Sequence, residues 1–82
     1  MPEVKEVTTP HEKIEREILE RHGRCIFEDT ISNHKVMQVW AINGSTFIVL
    51  RHDNGGYELY KGTRSNSIDN DIEYLDRLAE GR

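Results

Sequence analysis

Apolar and polar residues alternate twice in the middle of the chain, and each alternation breaks at an asparagine–glycine pair. The two segments are Ala41-Ile42-Asn43-Gly44-Ser45-Thr46 and His52-Asp53-Asn54-Gly55-Gly56-Tyr57. Asn-Gly between alternating hydrophobics is a strong hairpin signal, because both central residues of a type I′ turn need positive φ. A two-residue turn at Asn43-Gly44 sets Ile42 opposite Ser45. Counting outward, it pairs Trp40 with Phe47, Val39 with Ile48 and Met37 with Leu50. The same count around Asn54-Gly55 pairs Arg51 with Glu58, Leu50 with Leu59 and Val49 with Tyr60. The opposed charges of Arg51 and Glu58 favour that register over a slipped one. One face then carries Met37, Val39, Ala41, Ile48, Leu50, Tyr57 and Leu59, a core wall. The other carries Val36, Trp40, Ile42, Phe47, Val49 and Tyr60, interrupted by Gln38 and the Arg51/Glu58 pair. A sheet apolar on both faces calls for a cover on each, a helix or a partner.

The flanks supply two helices. Thr9-Pro10-His11-Glu12 is a capping box with proline at the first helical position, and Gly23 is placed to close the helix in the left-handed conformation. Its apolar stripe is thin: Ile14, Ile18 and Leu19. Residues 24–31 read as a first strand, with Cys25, Phe27 and Ile31 at alternating positions. Thr63-Arg64-Ser65-Asn66-Ser67 is a polar connection ending in a cap, after which Ile68, Ile72, Leu75 and Leu78 or Ala79 repeat at helical spacing. The chain therefore reads as a single small α+β domain over residues 9–82: an N-terminal helix, a three- to four-stranded antiparallel meander and a C-terminal helix. Residues 1–8 form a short arm before it.

Length sharpens the question of cover. A chain of 82 residues buries only about 60–65% of its unfolded surface, so a homodimer is a natural way to close a second face. One cysteine, Cys25, rules out an internal disulfide and fits a reducing compartment. No stretch approaches the roughly 20 apolar residues needed to span a bilayer, and the first residues lack the pattern of a signal peptide, so the expected location is cytoplasmic. The net charge is −4, and it is concentrated: residues 67–80 carry five acids against Arg77 alone. A general nucleic-acid binder shows the opposite, a basic stripe.

Four of those acids, Asp69, Glu73, Asp76 and Glu80, recur at spacings of four, three and four, which sets them in one row on the helix about 5–6 Å apart. Such a row approaches the spacing of phosphates along a nucleic-acid strand, and it can occupy a basic channel in another protein. The plain alternative is a solvated helix face. Trp40, Phe47 and Tyr60 form an aromatic cluster of the kind that anchors interfaces, or that the helices bury. His22 and Cys25 have zinc-ligand spacing but no recognised further pair among His11, His34 and His52. His52-Asp53 sits at a hairpin tip, where water is not excluded, and no glycine-rich phosphate loop occurs. Neither a cofactor nor a metal is expected, and the chain reads as a non-enzyme.

The order helix, strands, helix resembles the double-stranded-RNA-binding domain in outline. The last helix begins Ser67-Ile68-Asp69-Asn70-Asp71, acidic where that family's site needs lysines to cross phosphates. The resemblance is topological, and it leaves a nucleic-acid-binding module using Arg24, Lys35, Arg51, Lys61 and Arg64 as one alternative. A structural subunit of a larger assembly is another. The favoured expectation is a protein-binding module that inhibits or regulates a nucleic-acid-processing protein, as acidic phage and mobile-element proteins do. Its expected partner-binding residues are Asp69, Glu73, Asp76 and Glu80 on the helix with Trp40, Phe47 and Tyr60 on the sheet.

Overall fold

A computed structural model of the chain describes residues 8–81. Of the arm expected over residues 1–8, all but Thr8 lies outside them. The first helix, α1, spans Pro10–Glu20. Thr9 caps it: the Thr9 hydroxyl accepts from the Glu12 amide at 3.2 Å, and Glu12 Oε1 accepts from the Thr9 amide at 2.9 Å. The left-handed residue that ends the helix is His22 (φ 64°), not Gly23 as expected. Gly23 matters instead for closeness, since a Cβ there would fall 2.4 Å from Ile18 Cγ2.

Strands β1 (Arg24–Ser32), β2 (Lys35–Ile42), β3 (Ser45–His52), β4 (Tyr57–Tyr60) and β5 (Arg64–Ser65) form one antiparallel sheet in chain order, and α2 (Ile68–Ala79) follows. This is a small α+β domain of helix, meander and helix, with one strand more than expected. The addition is β5, two residues inside the polar connection after Gly62.

The first hairpin has the register its sequence implies. Asn43 and Gly44 both take positive φ, 53° and 86°, and Trp40 lies opposite Phe47, Val39 opposite Ile48 and Met37 opposite Leu50. The second hairpin is slipped by one residue from the expected pairing. Arg51 faces Tyr57 rather than Glu58, Leu50 faces Glu58, Val49 faces Leu59 and Ile48 faces Tyr60. The turn holds three residues, Asp53-Asn54-Gly55, with Gly55 in the left-handed region at φ 93°. His52 NH donates to Gly56 O at 2.9 Å and Gly55 NH to His52 O at 3.0 Å, the pattern of a type I turn closed by a glycine bulge. The start of α1 sits on this turn: His11 NH donates to Gly55 O at 2.9 Å.

A slip of one residue moves every side chain of a strand to the other face. Tyr57 and Leu59 therefore join Trp40, Ile42, Phe47 and Val49, and this enlarged apolar face is the one both helices cover. The core consists of these six with Ile14 and Ile18 of α1 and Leu75 of α2, and Ile68, Ile72, Tyr74 and Leu78 pack against it. Phe47 and Tyr74 meet edge to face at 6.0 Å. The expected core wall around Met37, Val39 and Ile48 is thus the opposite face, which carries no helix.

Candidate functional site: the helix-free sheet face and the acidic row

Following the pairings across the sheet lays out the helix-free face as four rows. Arg24, Ala41 and Thr46 form the first, and Phe27, Val39, Ile48, Tyr60 and Arg64 the second. Asp29, Met37, Leu50 and Glu58 form the third, with Lys35 and His52 beyond them. Six apolar side chains are therefore contiguous: Phe27, Val39, Ile48, Tyr60, Met37 and Leu50. Phe27 is 51% exposed and Tyr60 36%. Only Leu50 among the six is buried by its neighbours, and Met37, Val39 and Ile48 are half-buried. Tyr60 was expected beside Trp40 and Phe47, and the slipped register puts it on this face instead.

One carboxylate organises the β4 side. Glu58 Oε2 lies 2.7 Å from His52 Nε2 and 3.8 Å from Lys35 Nζ. Its Oε1 accepts from the Tyr60 hydroxyl at 3.3 Å and from Arg64 at 3.5 Å. Burial opposes its charge, but the His52 hydrogen bond, Lys35 and the Tyr60 hydroxyl outweigh burial and hold the carboxyl below the ordinary glutamate value. An open cleft of about 480 Å³ beside it is lined by polar groups, among them His52, Asn54, Glu58, Arg64 and Asn66.

At the other border, β1 is an edge strand exposed along all of its nine residues. Its outer amides and carbonyls have no sheet neighbour among the described residues. Irregularities in register between Cys25 and Phe27 and between Thr30 and Ser32 break its ladder.

The expected aromatic anchors are elsewhere. Trp40 is 3% exposed and Phe47 4%, both beneath the helices, where a partner cannot touch them in this state. Trp40 Nε1 donates to Gln38 Oε1 at 3.1 Å, and His11 Nε2 lies 2.9 Å from the same oxygen. That oxygen can take both bonds only if His11 Nε2 also carries a proton, which makes His11 a core histidine rather than a ligand.

Asp69, Glu73 and Asp76 of α2 and Glu80 at its C-cap are all exposed. The row is partly neutralised from within. Arg21, at the C-cap of α1, reaches Asp76 Oδ1 at 2.8 and 2.7 Å, and Arg77 reaches Glu73 at 2.9 Å. Asp71, in the same helix, is fully buried. Its carboxyl accepts from the Tyr57 hydroxyl at 2.5 Å and from the Ser65 hydroxyl, and Lys61 Nζ stands 3.6 Å away. Burial, then this bond to Asp71, pushes the Tyr57 hydroxyl above the ordinary tyrosine value. Through the Tyr57 and Ser65 hydroxyls this cluster ties α2 to β4 and β5.

The cations of the alternative reading are scattered. Lys35 and Arg64 are held by Glu58 and Lys61 by Asp71, while Arg24 and Arg51 lie on opposite faces. His34 Nδ1 lies 2.7 Å from Asp53 across two turns, exposed. Among the described residues no group of three or more His, Cys, Asp or Glu is arranged to hold a metal ion. No helix there is long and apolar enough to cross a membrane. Comparison with protein-family models, with curated proteins and with solved structures finds no match.

Proposed function

We propose that this chain is a non-enzymatic protein-binding module that docks through the helix-free face of its sheet. What supports the reading is that face: six contiguous apolar side chains, flanked by charges of both signs and lacking a helix. Large apolar patches rimmed by polar groups mark interaction sites on small proteins. Phe27 and Tyr60 replace Trp40 and Phe47 as its aromatic anchors. The acidic row supports a second contact of a different kind, toward the basic channel of a nucleic-acid-processing protein, because Asp69, Glu73 and Asp76 of α2 and Glu80 at its C-cap are all exposed and recur at helical spacing. In that arrangement the module acts as an inhibitor or regulator. The internal pairing of Asp76 and Glu73 weakens the mimicry, so the sheet face carries the proposal.

A photo-crosslinking residue placed at Tyr60 in one variant and at Glu73 in another, expressed in the native host, tests it. Adducts to a protein at position 60 are the expected result. Adducts at position 73 alone would transfer the function to the acidic row, and none at either would remove the docking reading.

A further inference from the structure

The helix-free face has a charge layout that fits itself. Counted over its rows, it carries Arg24, Lys35 and Arg64 against Asp29 and Glu58, nearly balanced, whereas the chain as a whole is at −4. The excess acid sits on α2, on the other side of the sheet. Lys35, His52 and Arg64 are already committed to Glu58, which among the described residues leaves Arg24 and Asp29, on either side of Phe27 along β1, as the charges a partner must answer. A strongly acidic or strongly basic partner answers only one of them. A second copy of this chain answers both.

Resting on the docking reading above, we infer that the occupant of the helix-free face is a second copy of this chain, stacked sheet on sheet about a two-fold axis that runs across the strands. An isologous contact uses the same patch on both subunits. With the axis along the Phe27 row, Arg24 of one copy lies on Asp29 of the other, Ala41 lies on Met37 and Thr46 lies on Leu50. Phe27, Val39, Ile48 and Tyr60 each meet their own counterpart across the axis. An axis parallel to the strands would instead lay Asp29 on Glu58, two acids. The chosen axis also keeps the α2 helices on the outside, with two sheets stacked about 10 Å apart between them and the like charges well beyond the screening length of about 8 Å. Pairing β1 to β1 along its edge is disfavoured by the two ladder breaks and by Arg24, Glu28 and Asp29, the devices that blunt an edge strand.

The size of the face sets the strength. Four strands about 4.8 Å apart, over six residues at about 3.3 Å each, outline about 400 Å² per copy. The total of about 800 Å² falls short of the roughly 1,200–2,000 Å² of standard specific interfaces and belongs with weak, transient contacts, so the dimer is weak and depends on concentration.

Light-scattering mass after size exclusion, over a protein series reaching about 500 µM, reads this directly, since millimolar to micromolar dissociation constants fall in that range. The wild type is expected to rise with concentration from the 9.6 kDa of one chain toward twice that mass. Ile48→Arg is expected to stay at one chain with an unchanged circular-dichroism spectrum. Asp29→Arg, an exposed change that leaves the core untouched, is expected to weaken the dimer about tenfold, and Arg24→Glu with Asp29→Arg to restore it. A dimer that persists in Ile48→Arg, or a charge swap that fails to restore, overturns the proposed contact. A wild type that stays monomeric throughout overturns the second copy. If the crosslinker at Tyr60 then still captures another protein, the docking face stands and only its occupant is wrong.

Discussion

Replacing Asp71 by alanine removes a carboxyl at 0% exposure that accepts from two hydroxyls, Tyr57 and Ser65, and faces Lys61. The cost has two parts. The first is the loss of hydrogen bonds in which a charged group takes part, about 1.5–3 kcal/mol each before relaxation. The second is the Tyr57 hydroxyl, left buried without an acceptor, and Lys61, left without its anion; breaking a buried cluster from one side costs about 3–5 kcal/mol in total. Against the roughly 4–12 kcal/mol that a domain of this length can hold, Asp71→Ala consumes much of the stability. Tyr57→Phe is expected to cost less, about 1.5–3 kcal/mol, because Ser65 and Lys61 still answer the carboxyl. Urea unfolding followed by Trp40 fluorescence measures both, and the double variant should be well below additive. Tyr57 adds a signature in pH. Its folded value is raised above 10.0, so its contribution is fully present below that pH and is lost as the pH rises beyond it, a loss Tyr57→Phe should remove. An Asp71→Ala cost under about 1 kcal/mol would refute the claim that this cluster holds α2 to the sheet.

Three further outcomes follow from the packing. Trp40→Ala should cost about 3–5 kcal/mol of unfolding free energy by circular dichroism, because Trp40 lies under the helices; a near-neutral result would mean that it faces solvent. Gly23→Ala should destabilise by about 1–3 kcal/mol, since its Cβ would fall 2.4 Å from Ile18 Cγ2 and 2.8 Å from Ile18 O. Glu58, held below its ordinary value of 4.5, contributes stability that is present above that pH and is lost as pH falls through the folded value. The urea midpoint of Glu58→Gln should therefore fall less steeply in acid than that of the wild type.

Where local chemistry decides the structure, the sequence could be read directly. The Thr9 capping box and the Asn43-Gly44 turn depend on residues within a few positions of one another, and both stand as expected. The second hairpin had two local solutions, a two-residue turn and a three-residue turn with a glycine bulge. Its turn takes a third residue, Asp53, and closes with a glycine bulge at Gly55, on which the start of α1 also lands, a contact no count outward from Asn54-Gly55 contains. That one residue moved Tyr57 and Leu59 under the helices and Tyr60 away from them, and it reversed which face the helices leave uncovered. Asp71 did carry a signal: at three residues from Ile68 and four from Leu75 it falls within the apolar stripe of α2, a place for a carboxyl only if something buried answers it. The answer, Tyr57, appears once the register is known. The acidic row was legible as an exposed face. Its partial neutralisation was not, because Arg21 meets Asp76 across 55 positions of sequence.

The central claim is that the helix-free face, not the aromatic cluster under the helices, is the surface that associates. Amide and side-chain NMR shifts followed from about 10 µM to about 1 mM, a range that spans weak association, test it residue by residue. Concentration-dependent shifts confined to Phe27, Met37, Val39, Ile48 and Tyr60, with Trp40, Phe47 and the acids of α2 unmoved, are the predicted result. Shifts centred on Asp69, Glu73, Asp76 and Glu80, or no shift on the sheet face at any concentration, would contradict it.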